Sequence, residues 1–192
     1  MKKLLVIIIL SLCFIAPSQA DDIRDFQIEG MSVLDSALDH FSKKEINSGA
    51  QFNYNSRKFY SYTSWESSKF DEFDYVQIHL KNNDPDFIIY SITGYKKTNF
   101  SDCKKQQKES KKIISKLFNE YDIRDYGERP DPAGKNLYVS KDIYFIISSG
   151  DQVGIFCFDV NEKIAKEGQH DSFSVAIDLK EFQKFLNNEA YK

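Results

Sequence analysis

Few residues in this chain have the type and spacing that chemistry needs, and two cysteines come first among them. Outside the first twenty residues the cysteines are Cys103 and Cys157, far apart and in no Cys-x-x-Cys motif, so thiol exchange is not their chemistry. In an oxidising compartment such a pair predicts a disulfide. His40, His79 and His170 each stand alone, without a second histidine or cysteine at the spacing of a zinc site. Ser149-Gly150 lacks the Gly-x-Ser-x-Gly frame of a nucleophile elbow, and no phosphate loop or dinucleotide fingerprint is present. Asp71-Glu72-Phe73-Asp74 and Asp84-Pro85-Asp86 hold oxygens suited to calcium. They lack the Asp-x-Asp-x-Asp-Gly framework with its distant Glu, so both read as acidic turns. No catalytic residue, metal ligand or cofactor is assigned from these patterns.

The surviving candidate is aromatic. Between Gln51 and Ser68 the rings of Phe52, Tyr54, Phe59, Tyr60, Tyr62 and Trp65 are mixed with Arg57, Lys58 and serines. Flat rings with polar edges suit sugar, peptide or partner contacts. Tyr54, Arg57, Tyr60, Tyr62 and Trp65 therefore form the candidate binding surface. The competing reading is a half-buried edge strand whose rings complete the core. On a strand, Tyr60 and Tyr62 share one face while Ser61, Thr63 and Trp65 share the other.

The elements that position these residues are organised around Asn99 to Tyr121. Cys103, Gln107, Ser110, Ile114, Leu117 and Tyr121 recur at alternating steps of four and three, one side of a helix. Lys104, Lys105, Lys108, Lys111, Lys112 and Lys116 fill the other side, and Ser101 reads as its N-cap. Upstream, Leu34, Ala37, Leu38 and Phe41 predict an amphipathic N-terminal helix opened by a Ser32–Asp35 capping box, with a second short turn from Ser42 to Glu45. The runs 73–81 and 87–95 flank the turn 82–86 and form a first hairpin. Beyond the long helix, 126–135 (YGERPDPAGK) reads as a loop. The runs 136–147 and 153–160 form a second hairpin, 172–178 a further strand, and Asp178 with Glu181 caps a C-terminal helix. Helices set apart from hairpins predict an α+β fold with an antiparallel sheet built from two hairpins.

The chain opens MKKLLVIIILSLCFIAPSQA, with a basic start, an apolar core and a small-x-small site before Asp21. This is a signal peptide over residues 1–20, cleaved after Ala20. A lipoprotein reading would use Cys13, but Leu12 stands where a small residue is needed. Removing 20 residues from 192 leaves 172, a single secreted α+β domain over 21–192, with the loop 126–135 as the place where it would divide. The leader takes two lysines and no acid from 26 basic and 29 acidic residues, leaving a net charge of −5. That balance argues against nucleic acid or anionic membrane as the main partner. The mature product is expected to be periplasmic or secreted, with no stable membrane span.

The pattern Ile28-Glu29-Gly30-Met31-Ser32, then Asp35-Ser36, Leu38 and Phe41-Ser42, resembles the start of small, uncharacterised secreted proteins of marine alphaproteobacteria. That resemblance implies a compartment and no activity. The Gly-Met-Ser start is also similar to that of small outer-membrane assembly lipoproteins, which open on Gly-Met-Thr. This match covers a few residues and lacks the lipobox and the Gly that ends their first helix. Two functions are carried forward. One is a noncatalytic periplasmic module that binds a protein, peptide or envelope component. The other is a small hydrolase with a site assembled from scattered Asp, His and Ser residues.

Overall fold

A computed structural model describes residues 22–118, 120–131 and 134–192. The predicted signal peptide, its expected cleavage site and Cys13 lie outside the described residues. Seven strands make one antiparallel sheet: β1 (Phe59–Ser64), β2 (Tyr75–Lys81), β3 (Ile89–Lys97), β4 (Tyr121–Pro130), β5 (Tyr138–Ile147), β6 (Gln152–Val160) and β7 (Ser172–Asp178). Their order is β1-β2-β3-β7-β6-β5-β4. The fold is thus α+β, with the two predicted hairpins built into a single antiparallel sheet. β7 joins them by pairing with β3 on one side and β6 on the other, from Ser91↔Asp178 to Lys97↔Ser172 and from Gln152↔Asp178 to Phe158↔Ser172.

Alternation along the strands separates two faces. On one, Ile78, Ile92, Ile177, Val153 and Phe145 meet across neighbouring strands, all buried. Helix α2 (Phe100–Leu117) covers this face over β6 and β7. Cys103, Gln107 and Ile114 are its buried residues, while most of its lysines look outward. Its cap is Asn99, two residues ahead of Ser101: the Asn99 side-chain oxygen accepts from the Asp102 amide at 2.9 Å. Gln107 replaces apolar packing with two hydrogen bonds, donating its side-chain amide to the carbonyls of Lys141 (2.7 Å) and Ile155 (3.0 Å). Cys103 and Cys157 are disulfide-bonded with Cα atoms 5.7 Å apart, fastening the first turn of α2 to β6 as the sequence predicts.

The N-terminal segment covers the β1–β3 end of the same face, and it does so without the predicted helix. The residues that form the stripe split apart: Ala37 and Phe41 are buried, but Leu34 is 47% and Leu38 40% exposed. Leu34 sits in the left-handed region at φ 71. The backbone amides of Leu34 and Ala37 donate to the carbonyls of Ile89 and Phe87, not to their own preceding turn. Strand-like pairing with the β2–β3 connection has won over local helix propensity. The helix that does form is α1 (Lys43–Ser48), with the full Ser42–Glu45 capping box. Ahead of it, Glu29-Gly30 forms a two-residue hairpin tip with both φ positive, between the buried Ile28 and Met31. The Glu29 carboxylate accepts from the amides of Asp71, Glu72 and Phe73 at 2.8–2.9 Å.

The segment 126–135 is only partly a loop. β4 continues through Pro130 and carries a bulge at Tyr126-Gly127, where Gly127 has φ 65. Proline is tolerated there because β4 is an edge strand. After a short helix α3 (Glu162–Lys166) and β7, helix α4 (Lys180–Asn188) packs on the opposite face of the sheet. There Phe182 and Phe185 enclose Phe59. Asp178 does not cap α4: Asp151, from the β5–β6 turn, accepts from the Lys180 amide at 2.7 Å. Among the described residues, no helix is long and apolar enough to cross a membrane.

A candidate binding cleft on the open sheet face

Helix α4 covers only one end of its face. At the other end the exposed rungs of β1, β2, β3, β7, β6 and β5 line a cleft of about 450 Å³. The registers Thr63↔Gln77, Tyr75↔Tyr95 and Lys97↔Ser172 put these side chains on one surface. Trp65, just past β1, lies against Tyr75 with ring centres 4.4 Å apart, and Tyr75 stacks on Tyr95 at 4.7 Å with planes within 9°. The opposite wall is Phe158 edge-on to Tyr138 at 5.5 Å. The aromatic surface continues beyond the cleft through Phe156, Tyr144 and Tyr126. Gly154 makes room for that continuation, because a Cβ there would lie 2.3 Å from the Phe156 ring.

Polar groups are set among the rings. Gln77 donates to the Thr63 hydroxyl at 3.0 Å, and Lys97, Ser172 and His170 add donors at the mouth. Among the described residues, no carboxylate lines the cleft and none lies within ion-pair distance of Lys97. Burial raises the Tyr75 and Tyr95 phenols above their ordinary range, Tyr95 the more strongly, so both remain neutral hydrogen-bonding groups at physiological pH. Trp65 is 67% exposed although one face of its ring is already engaged. The arrangement offers flat apolar surfaces flanked by amide, hydroxyl and ammonium donors. It can hold a small ligand by stacking and hydrogen bonding.

The five residues of the sequence-based surface are distributed over several places. Trp65 is at the cleft. Tyr60 and Tyr62 point through the sheet to the buried face, each 7% exposed, against Phe52 and Phe41. Tyr54 packs edge-on against Phe185 and Tyr191 under α4. Arg57 lies over the Phe52 ring at 4.3 Å. The sequence reading missed Tyr75, Tyr95, Tyr138 and Phe158. The alternation of Tyr75, Gln77 and His79 against Val76, Ile78 and Leu80 was its available signal.

One row of polar residues crosses the same face beneath α4. Ser61, His79, Ser91, Asp178 and Gln152 are successive partners on β1, β2, β3, β7 and β6. Asp178 accepts from Ser91 (2.6 Å), Gln152 (3.2 Å) and Gln183 (2.7 Å). Burial raises its pKa, and those three donors offset the rise only in part. His79 lies on the Phe182 ring at 4.6 Å with Nδ1 unpartnered, and burial lowers its pKa to about 3. One carboxylate in each acidic turn accepts from backbone amides: Asp74 from that of Lys97, and Asp84 from those of Asp86 and Ile88.

No family model, no curated protein and no solved structure matches the chain.

Proposed function

We propose that this chain is an exported, noncatalytic binding protein whose open sheet face takes a short segment of peptide or glycan from the cell envelope. The observation that carries this reading is Trp65: a large, mostly exposed ring pre-stacked on Tyr75 and Tyr95 at the rim of a cleft of ligand size. Stacked rings lose little conformational freedom on binding, so contact with a ligand is not offset by their ordering. Export is supported by the signal-peptide pattern, by the resemblance of the Ile28–Ser42 stretch to small secreted proteins, and by the disulfide. The hydrolase reading has less support. The serines, histidine and carboxylate that share a row lie under α4, and the Asp178 oxygens accept from Ser91, Gln152 and Gln183, not from His79. Peptide and glycan arrays probed with wild-type protein and with Trp65→Ala test the proposal. Binding should fall by about tenfold, as for removal of an aromatic anchor. Hits bound equally by both proteins would place the ligand elsewhere.

A further inference from the structure

The outward side of α2 forms a second recess, of about 870 Å³, against Asp125 of β4 and Lys141 and Ile143 of β5. Helix α2 carries six lysines against Asp102 and Glu109, a local charge of +4 in a chain whose net charge is −3. With Lys141, seven lysines line the recess. Three have acidic partners: Lys104 with Glu128 (3.0 Å), Lys105 with Asp102 (2.7 Å) and Lys111 with Asp125 (3.0 Å). Among the described residues, Lys108, Lys112, Lys116 and Lys141 have no carboxylate within ion-pair distance. A group of like charges left unpaired on an acidic protein is a local positive field, and in a recess that field is focused.

We infer that this recess binds a linear acidic polysaccharide. Lys108, Lys112 and Lys116 follow one another at four-residue steps, about 6 Å along a helix axis. A glycan with one acid per sugar repeats its charge on that scale. Asp125, the carboxylate in the recess, is engaged by Lys111 (3.0 Å) and by the Gly127 amide (3.2 Å). Among the described residues no aromatic ring lines the recess, and stacking on rings is what single-stranded nucleic acid uses. The inference is independent of the cleft on the opposite face.

Fluorescence anisotropy with labelled polygalacturonate and heparin oligosaccharides tests it, with single-stranded DNA and phosphatidylglycerol vesicles as competitors. The triple variant Lys108→Gln/Lys112→Gln/Lys116→Gln should lose about tenfold or more in affinity and show a shallower salt dependence, because fewer counterions are released. A control variant, Lys44→Gln/Lys163→Gln/Lys166→Gln, changes the net charge equally at exposed sites outside the recess and should keep the wild-type affinity. The exposed positions of Lys108, Lys112 and Lys116 predict unchanged melting curves. Absence of polysaccharide binding by the wild type would overturn the inference, as would equal losses in both triple variants. So would tighter binding of DNA or vesicles than of either polysaccharide.

Discussion

His79 and Asp178 lie in the same buried row, and burial acts on them with opposite sign. The His79 imidazole stays neutral in the native state down to about pH 3, whereas in the unfolded chain it takes a proton below 6.5. Acidification therefore favours the unfolded state, and the stability attached to His79 is lost as pH falls from 6.5 toward 3. One pKa unit corresponds to about 1.4 kcal/mol, so the loss between pH 6.5 and 4 is on the order of 3 kcal/mol. Asp178 works the other way. Its folded pKa lies above 3.8, so its contribution is complete below that value and is lost as pH rises through the folded pKa. His79→Leu removes the acid-sensitive group and an orphaned Nδ1, and should be close to neutral at pH 7. Thermal melts from pH 7 to pH 4 should show a clearly smaller drop for His79→Leu than for the wild type. Parallel curves for the two proteins would remove His79 from the account.

At the scale of elements, the N-terminal segment separates what periodicity can and cannot reveal. Leu34, Ala37, Leu38 and Phe41 fit a helical stripe, yet the amides of Leu34 and Ala37 donate to the carbonyls of Ile89 and Phe87, and Leu34 and Leu38 face water. Leu38→Asp should accordingly shift the melting temperature very little. Ile46→Asp, at a fully buried site on α1, should unfold the protein or cost several kcal/mol. Circular-dichroism melts compare the two directly; a larger loss for Leu38→Asp would reverse this assignment. The disulfide gives a second element-scale expectation. It closes a loop of 54 residues, and loops of that size are stabilised by up to ~4 kcal/mol on the chain-entropy model. Cys103→Ser/Cys157→Ser should melt lower but remain folded, because α2 also buries Gln107 and Ile114. Long periodic elements such as α2 and the alternating strands β2 and β7 were legible in the sequence. β4 was hidden because glycine and proline, the usual turn residues, serve it as a bulge and as an edge-strand position.

For the whole molecule, the decisive event is the pairing of β7 with both β3 and β6, which joins two three-stranded halves into one seven-stranded sheet. Helix α2 and the N-terminal segment seal one face; α4 seals only part of the other, and the aromatic cleft occupies what is left. The α+β class followed from the order of elements. The cleft did not, because its walls come from strands distant in sequence, with Thr63 and Tyr138 at opposite sides. Of the five residues read as a surface, only Trp65 lines it; alternation had already separated Trp65 from Tyr60 and Tyr62, but not which side would stay open. Trp65 is also the single tryptophan of the chain, so its emission reports the cleft alone. The most direct test is a fluorescence titration of the intact protein with a peptide or glycan taken from the arrays, with binding measured in parallel by calorimetry. A saturable blue shift of the emission, with the same midpoint as the calorimetric isotherm, is the predicted result. A ligand that binds by calorimetry while the emission stays at its water-exposed position would contradict the assignment of the open face as the binding site.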